Sequence, residues 1–312
     1  MLVCRVEMGY LHRGNEALRA GLRRLAIGEA GAASMMTLPE LAADSLEEFL
    51  GDYMRRRWGS SHGHVVEIVT TAARMAMECI GTSDALYHNI EHTMLVTLAG
   101  HDIMRGRGLY TQFSANDYAH IMIACLVHDI GYVRGLFKED GDDGFLIDAT
   151  GKRITLPRGS SDASLMPYHV DRSKLYLARR IDDTLPLDKE RILQAIEGTR
   201  FPPVEGRQYD EEASIVRAAD FIGQLGDPNY IRKANALYCE FEEVGINRQL
   251  GYESAADIVE QYPQFYWNSV APHIQTEIGY LNRTSSGRQW IANLYSNVFR
   301  AEREISLSGP QQ

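Results

Sequence analysis

The chain has 312 residues, 45% of them hydrophobic and 24% charged, with 42 acidic against 32 basic side chains and a formal net charge of -10. That length and apolar content suffice for one large domain or two smaller ones, and the acidic balance excludes the broad basic face that binds nucleic acid or an anionic membrane. No run approaches the ~18 apolar residues of a membrane span, and the four scattered cysteines (Cys4, Cys79, Cys125 and Cys239) form no C-x-x-C pair, which suits buried thiols in a reducing cytoplasm.

The opening residues carry Arg5, Glu7, Arg13 and Glu16 where a secretory leader would be apolar. The Ala, Gly and Arg-rich stretch through Ala33 reads as a weakly packed extension, or as sequence upstream of a start at Met35 or Met36. Residues 37–57 place Leu46, Phe49, Leu50 and Tyr53 on one helical face. Residues 62–80 continue in that style and end near Gly81. A helix from Ile90 to about Arg105 stops at Gly106-Arg107-Gly108. Ser114, with Asp117 three residues on, signals the cap of the next helix, which runs through Ile121-Met122-Ile123-Ala124-Cys125-Leu126-Val127 and closes at Gly131. It is apolar all round, so it should be buried.

Residues 134–166 break the helical pattern. Phe145-Leu146 and Arg153-Ile154 flank a turn and predict a short hairpin or lid. The acidic run Lys138 to Gly144 lacks the alternating oxygen ligands of a calcium loop and reads as a solvated turn. Helix resumes at about 171–184, 188–199, 210–226, 229–245, 253–283 (interrupted near Pro263 or Pro272) and 287–305. The chain therefore divides into an N-terminal helical extension (1–57), a mainly helical domain (58–285), and a C-terminal helix and tail (286–312).

Three distant places carry the chemistry. His88 and His92 are four apart, which on one continuous helix puts both on the same face. His128-Asp129 ends the buried helix, and an ionised aspartate there costs several kcal/mol unless a cation or hydrogen bonds compensate it. Asp220 lies among Ile215, Val216, Ala218, Ala219, Phe221 and Ile222, where pairing with Arg217 is the plain alternative to a metal. Together these nitrogen and oxygen donors suit a hard or borderline divalent ion. His101-Asp102 is a second such pair, but it falls about half a helical turn from His92 and should face towards Arg105 and Arg107.

Tyr87-His88-Asn89-x-x-His92, then an apolar helix ending His128-Asp129, then Ala219-Asp220 resembles the HD-domain superfamily of metal-dependent phosphohydrolases over about residues 60–285. The Tyr-His-Asn-x-x-His string is especially similar to class I cyclic-nucleotide phosphodiesterase catalytic domains, and the set is also similar to small stand-alone bacterial HD hydrolases. The resemblance implies an all-α HD/PDEase-like bundle with one or two divalent ions (Zn, Mn, Mg or Fe). His92, His128, Asp129 and Asp220 would hold the first ion, and Asp129 would reach towards a second. His88 would protonate the leaving oxygen, with Tyr87 and Asn89 supporting its loop, while metal-activated water attacks phosphorus.

The implied substrate is a small phosphoester, first a phosphodiester such as a cyclic nucleotide. The alternatives are a nucleotide phosphomonoester or a deoxynucleoside triphosphate, or a metal-binding regulatory module without turnover. Self-association into a homo-oligomer is compatible with the sequence. Tyr132 stands where the phosphodiesterases carry a further histidine. His169 either lines the pocket or starts a helix, and Asp171 falls where related hydrolases place an acid. Arg200 is a candidate phosphate clamp, and Gln264-Phe265 a candidate counterpart of the purine-gripping pair.

Overall fold

Polar caps decide where these helices begin. In the computed structural model, which describes residues 37–181, 184–202, 206 and 208–308, twelve α-helices account for most of the chain. They are α1 (Leu38–Trp58), α2 (Gly63–Ile80), α3 (Ile90–Arg107), α4 (Ala115–Val127), α5 (His169–Arg180), α6 (Lys189–Glu197), α7 (Glu211–Leu225), α8 (Ala234–Glu243), α9 (Ile246–Leu250), α10 (Ala255–Phe265), α11 (Gln275–Leu281) and α12 (Ser285–Ser308). Thr37 and Glu40 form a reciprocal cap on α1, and Ser114 and Asp117 do the same on α4. Asn89, Asp188 and Asp210 each accept from the exposed amides that open α3, α6 and α7. The readings of residues 1–36, including the start at Met35 or Met36, lie outside the described residues.

The expected all-α bundle is what forms. α4 is buried from Ala115 to Val127 save at Asn116 and Asp117, as its unbroken apolar run requires. α3 and α7 pack against each other so tightly that a side chain at Gly223 would meet the Val96 backbone at 2.8 Å. The helices carrying His92 and Asp220 thus run side by side, with α4 against both. α1 contributes Leu46, Leu50 and Met54, and α12 contributes Leu294 and Val298, to the same hydrophobic core as α4 and α7, so the terminal helices are structurally part of it.

Local details differ from the sequence reading. α4 ends at Val127, and a 3-10 turn, Ile130–Tyr132, follows, so Gly131 is not the helix stop. Its role is close approach: a Cβ there would fall 2.0 Å from the His169 carbonyl oxygen. The break after α10 is a π turn, Tyr266–Val270, between the two prolines, with Pro263 inside α10 and Pro272 in a 3-10 turn.

The insertion holds the expected two-stranded antiparallel hairpin, β1 (Phe145–Leu146) and β2 (Arg153–Ile154), pairing Phe145 with Ile154. It is no loose flap. Arg172 of α5, fully buried, donates Nε to Gly131 O, Nη2 to Val133 O and Asp140 Oδ2, and Nη1 to Leu146 O. Asp140 is therefore a buried ion-pair partner and not part of a solvated turn, while Asp142 and Asp143 are exposed. Arg172→Ala leaves a carboxylate and three carbonyls unpaired in the interior, which should cost about 3–5 kcal/mol. Urea denaturation checks this, and a loss under about 1 kcal/mol would show the knot to be redundant.

Candidate metal centre

Four side chains meet around one point. His92 comes from the first turn of α3, His128 and Asp129 from the end of α4, and Asp220 from the middle of α7. His92 Nε2 lies 3.3 Å from Asp129 Oδ2 and 3.3 Å from Asp220 Oδ1. His128 Nε2 lies 3.1 Å from Asp129 Oδ2 and 3.7 Å from Asp220 Oδ1. Yet His92 Nε2, His128 Nε2 and Asp129 Oδ2 are all buried without a properly directed hydrogen bond. Donors about 2.0–2.2 Å from one ion stand about 3.0–3.6 Å apart at octahedral to tetrahedral angles. The separations match such a shell, and the orphaned atoms supply its reason.

The tautomer of His128 agrees. Its Nδ1 lies 2.8 Å from the Cys125 carbonyl, which can only accept, so Nδ1 carries the proton and Nε2 offers its lone pair to the site. Burial opposes charge on this ring, but Asp129 and Asp220 raise it well above the ordinary imidazole value. Burial likewise opposes charge on Asp129, which His128 nevertheless holds well below the carboxylate range. The two carboxylates demand positive charge at this spot. The floor is closed, since His92, His128 and Asp129 are at most 4% exposed, whereas the Asp220 side chain keeps 21% of its surface and opens the site. Arg217 does not pair with Asp220; it donates to Gly198 O and stacks on Tyr209.

His88 is placed differently from the sequence reading. Asn89 is the cap of α3, accepting from Glu91 N and His92 N, so His88 precedes the helix instead of sharing a face with His92. Glu240 of α8 accepts from Tyr87 N at 2.6 Å and His88 N at 3.1 Å through Oε1, and from His88 Nδ1 at 2.5 Å through Oε2. Glu240 is buried, and burial disfavours the His88 cation, yet Glu240, helped by Asp129 and Asp220, raises His88 to about 9. The available signal was an acid three residues after Leu237, on the buried face of α8. Tyr87 is buried, and Asn89 donates to Leu86 O within this loop.

Tyr132 stacks between His88 (ring centres 4.7 Å apart, planes at 10°) and His169 (4.7 Å, 25°). His169 opens α5 and also reaches the centre, with Nε2 3.6 Å from Asp129 Oδ1. Burial keeps its imidazole below the ordinary value. Asp171 and Arg200 bind each other at 2.7 Å, and Arg200 also holds Glu197, so its guanidinium is neutralised and is not a free phosphate clamp. Phe265 packs edge-on to Phe201, which packs on Phe221 beside Asp220. Gln264, its neighbour on α10, is exposed, because adjacent helical residues point about 100° apart. The two side chains therefore point in different directions.

Two other clusters are not metal centres. His101 and Asp102 are not part of the His92 cluster: Asp102 pairs with Arg105, the side the sequence points to, and also binds Ser286 and Trp290 of α12, while His101 bonds Tyr118. Burial pushes His101 down to about 3. Asp117, His120 and Glu212 also converge. There Asp188 N donates to His120 Nε2, so Nδ1 bears the proton and cannot ligate, and Arg191 already bridges both acids.

A family model described as Npun_R2479-like matches residues 36–304. The chain belongs to the Npun_R2479-like family. No curated protein and no solved structure matches it. Among the described residues of this family member, no helix is long and apolar enough to cross a membrane.

The geometry predicts that Asp220→Asn, at a site open enough to tolerate the change, weakens Mn or Zn binding by about 100-fold or more. Competition against a chromophoric chelator measures this. Equal affinity in both proteins would remove Asp220 from the centre.

Proposed function

We propose that this protein is a metal-dependent phosphohydrolase of the HD type, acting on a phosphoester and first on a phosphodiester such as a cyclic nucleotide. The observation that carries the reading is the meeting of three orphaned buried donor atoms with Asp220, beside a histidine held by its own carboxylate. His92, His128, Asp129 and Asp220 would hold the ion. When bound, such an ion supplies Lewis-acid charge that acidifies water and screens phosphate oxygens.

The chain's own residues then divide the remaining work. Glu240 accepts from Nδ1 of His88, which leaves Nε2 as the atom that can carry and deliver a proton. Tyr132 fixes the ring plane by stacking, so the proton has a defined direction. The His88 side chain is 14% exposed and lies on the open side with Asp220, where a leaving alkoxide would depart and solvent would reprotonate the ring. A purely structural or regulatory ion would require neither Glu240 nor the stacked ring, which favours turnover over a binding module. Among the described basic groups nearby, Arg200 and Lys233 are already engaged by carboxylates. That favours one phosphorus over a triphosphate.

Purified protein with added Mn, Mg or Zn should hydrolyse a cyclic nucleotide faster than nucleoside monophosphates or triphosphates. His88→Ala should lower that turnover about a hundredfold or more while metal content stays constant. Unchanged turnover would exclude His88 as the acid.

The raised value at His88 gives a pH test. A general acid works while protonated, so the rate falls as pH rises through its pKa. Glu240→Gln removes the charge that raises that pKa, so the basic limb of kcat should move to lower pH. A profile that does not move would separate Glu240 from proton transfer.

A further inference from the structure

We propose that Glu243 is a positioning residue for the proton donor: by clasping the insertion to α8 it keeps Glu240 seated against His88. The catalytic part of this role rests on the phosphohydrolase reading above. Both oxygens of Glu243 are occupied. Oε1 accepts from Ser161 Oγ at 2.6 Å, and Oε2 accepts from Ser161 N at 2.9 Å and Ser164 Oγ at 2.7 Å. Ser161 is itself the cap of the 3-10 helix Asp162–Tyr168, its hydroxyl accepting from Ala163 N.

That 3-10 helix is fastened on another side to the loop that carries His88, which joins α2 to α3. Asp84 of this loop accepts from Asp162 N at 2.7 Å, and Arg134 bridges the carboxylates of Asp84 and Asp162. Glu240 binds Tyr87 and His88 farther along the same loop. Loop, insertion and α8 therefore close a ring, with Asp84, Glu243 and Glu240 at its three joints.

The ring matters because of where Glu240 sits. α8 is ten residues long and ends at Glu243, so Glu240 lies in its last turn, the part of a helix that opens most readily. The fully buried apolar side chains of α8 are Ala234 and Leu237, both in earlier turns. Withdrawing the Glu240 carboxylate from water opposes its seating. Glu243, three residues on and its neighbour on the helix surface, makes charge-assisted bonds that hold this last turn closed. Without them Glu240 would spend less time on His88 Nδ1, and the donor ring would lose its direction. The metal ligands on α3, α4 and α7 lie outside the ring.

Hydrogen exchange reads the seating of Glu240 without reference to activity, because the Tyr87 and His88 amides both donate to it. In Glu243→Ala these two amides should exchange about tenfold faster or more, while the α4 amides keep their protection. The kcat for the best phosphoester should fall about tenfold, with KM and metal content unchanged. Ser161→Ala/Ser164→Ala should reproduce both effects from the other side of the clasp, and combining it with Glu243→Ala should add nothing further. Ser161→Thr, which keeps a hydroxyl, should behave as wild type. Unchanged exchange at Tyr87 and His88, equally faster exchange along α4, or fully additive effects would each overturn the clasp. Faster local exchange in a protein whose wild type turns over no phosphoester would support the clasp and overturn the phosphohydrolase reading instead.

Discussion

An unprotonated imidazole nitrogen and a carboxylate oxygen that face each other in a dry interior cannot both be satisfied without a positive charge between them. This constraint organises the whole centre. His92, His128 and Asp129 are closed off from water, their converging atoms lack hydrogen bonds, and burying even one ionised carboxylate costs several kcal/mol. A proton on His128 would supply charge but no well-aimed hydrogen bond. An ion satisfies all the donors at once, and it does so at separations the backbone already imposes.

Those separations are fixed by packing far from the charges. Gly223 lets α7 press against Val96, which sets Asp220 relative to His92. Ser173 and Gly131 clamp α5 to the end of α4, and Arg172 ties the same turn to the hairpin insertion. α8 serves both sides of the opening, because Glu240 holds His88 while Glu243, a turn later, accepts from Ser161 and Ser164 of the insertion. The insertion is thus braced at both ends.

Much of this was legible in the residues, and the reasons differ by element. The caps at Thr37 and Ser114 and the unbroken apolar run of α4 are local signals, so the helices they define appear where expected. The convergence of His92, His128, Asp129 and Asp220 could be read because a buried acid at the end of an apolar helix demands compensation. Glu240 could not, since only the fold brings α8 to a loop about 150 residues earlier. The place of His88 is not legible from spacing, because residues four apart share a helical face only if no cap intervenes, and Asn89 is a strong cap. The partners of Asp140 and Arg200 are not legible, because they lie in tertiary contacts that periodicity does not encode.

The most direct measurement of the centre is a crystal structure of the protein grown with Mn or Zn, with anomalous scattering collected at the metal edge. A strong anomalous peak within bonding distance of His92 Nε2, His128 Nε2, Asp129 Oδ2 and Asp220 Oδ1 is the expected result. Absence of a peak there, with the two carboxylates instead hydrogen-bonded to protonated imidazoles, would contradict it.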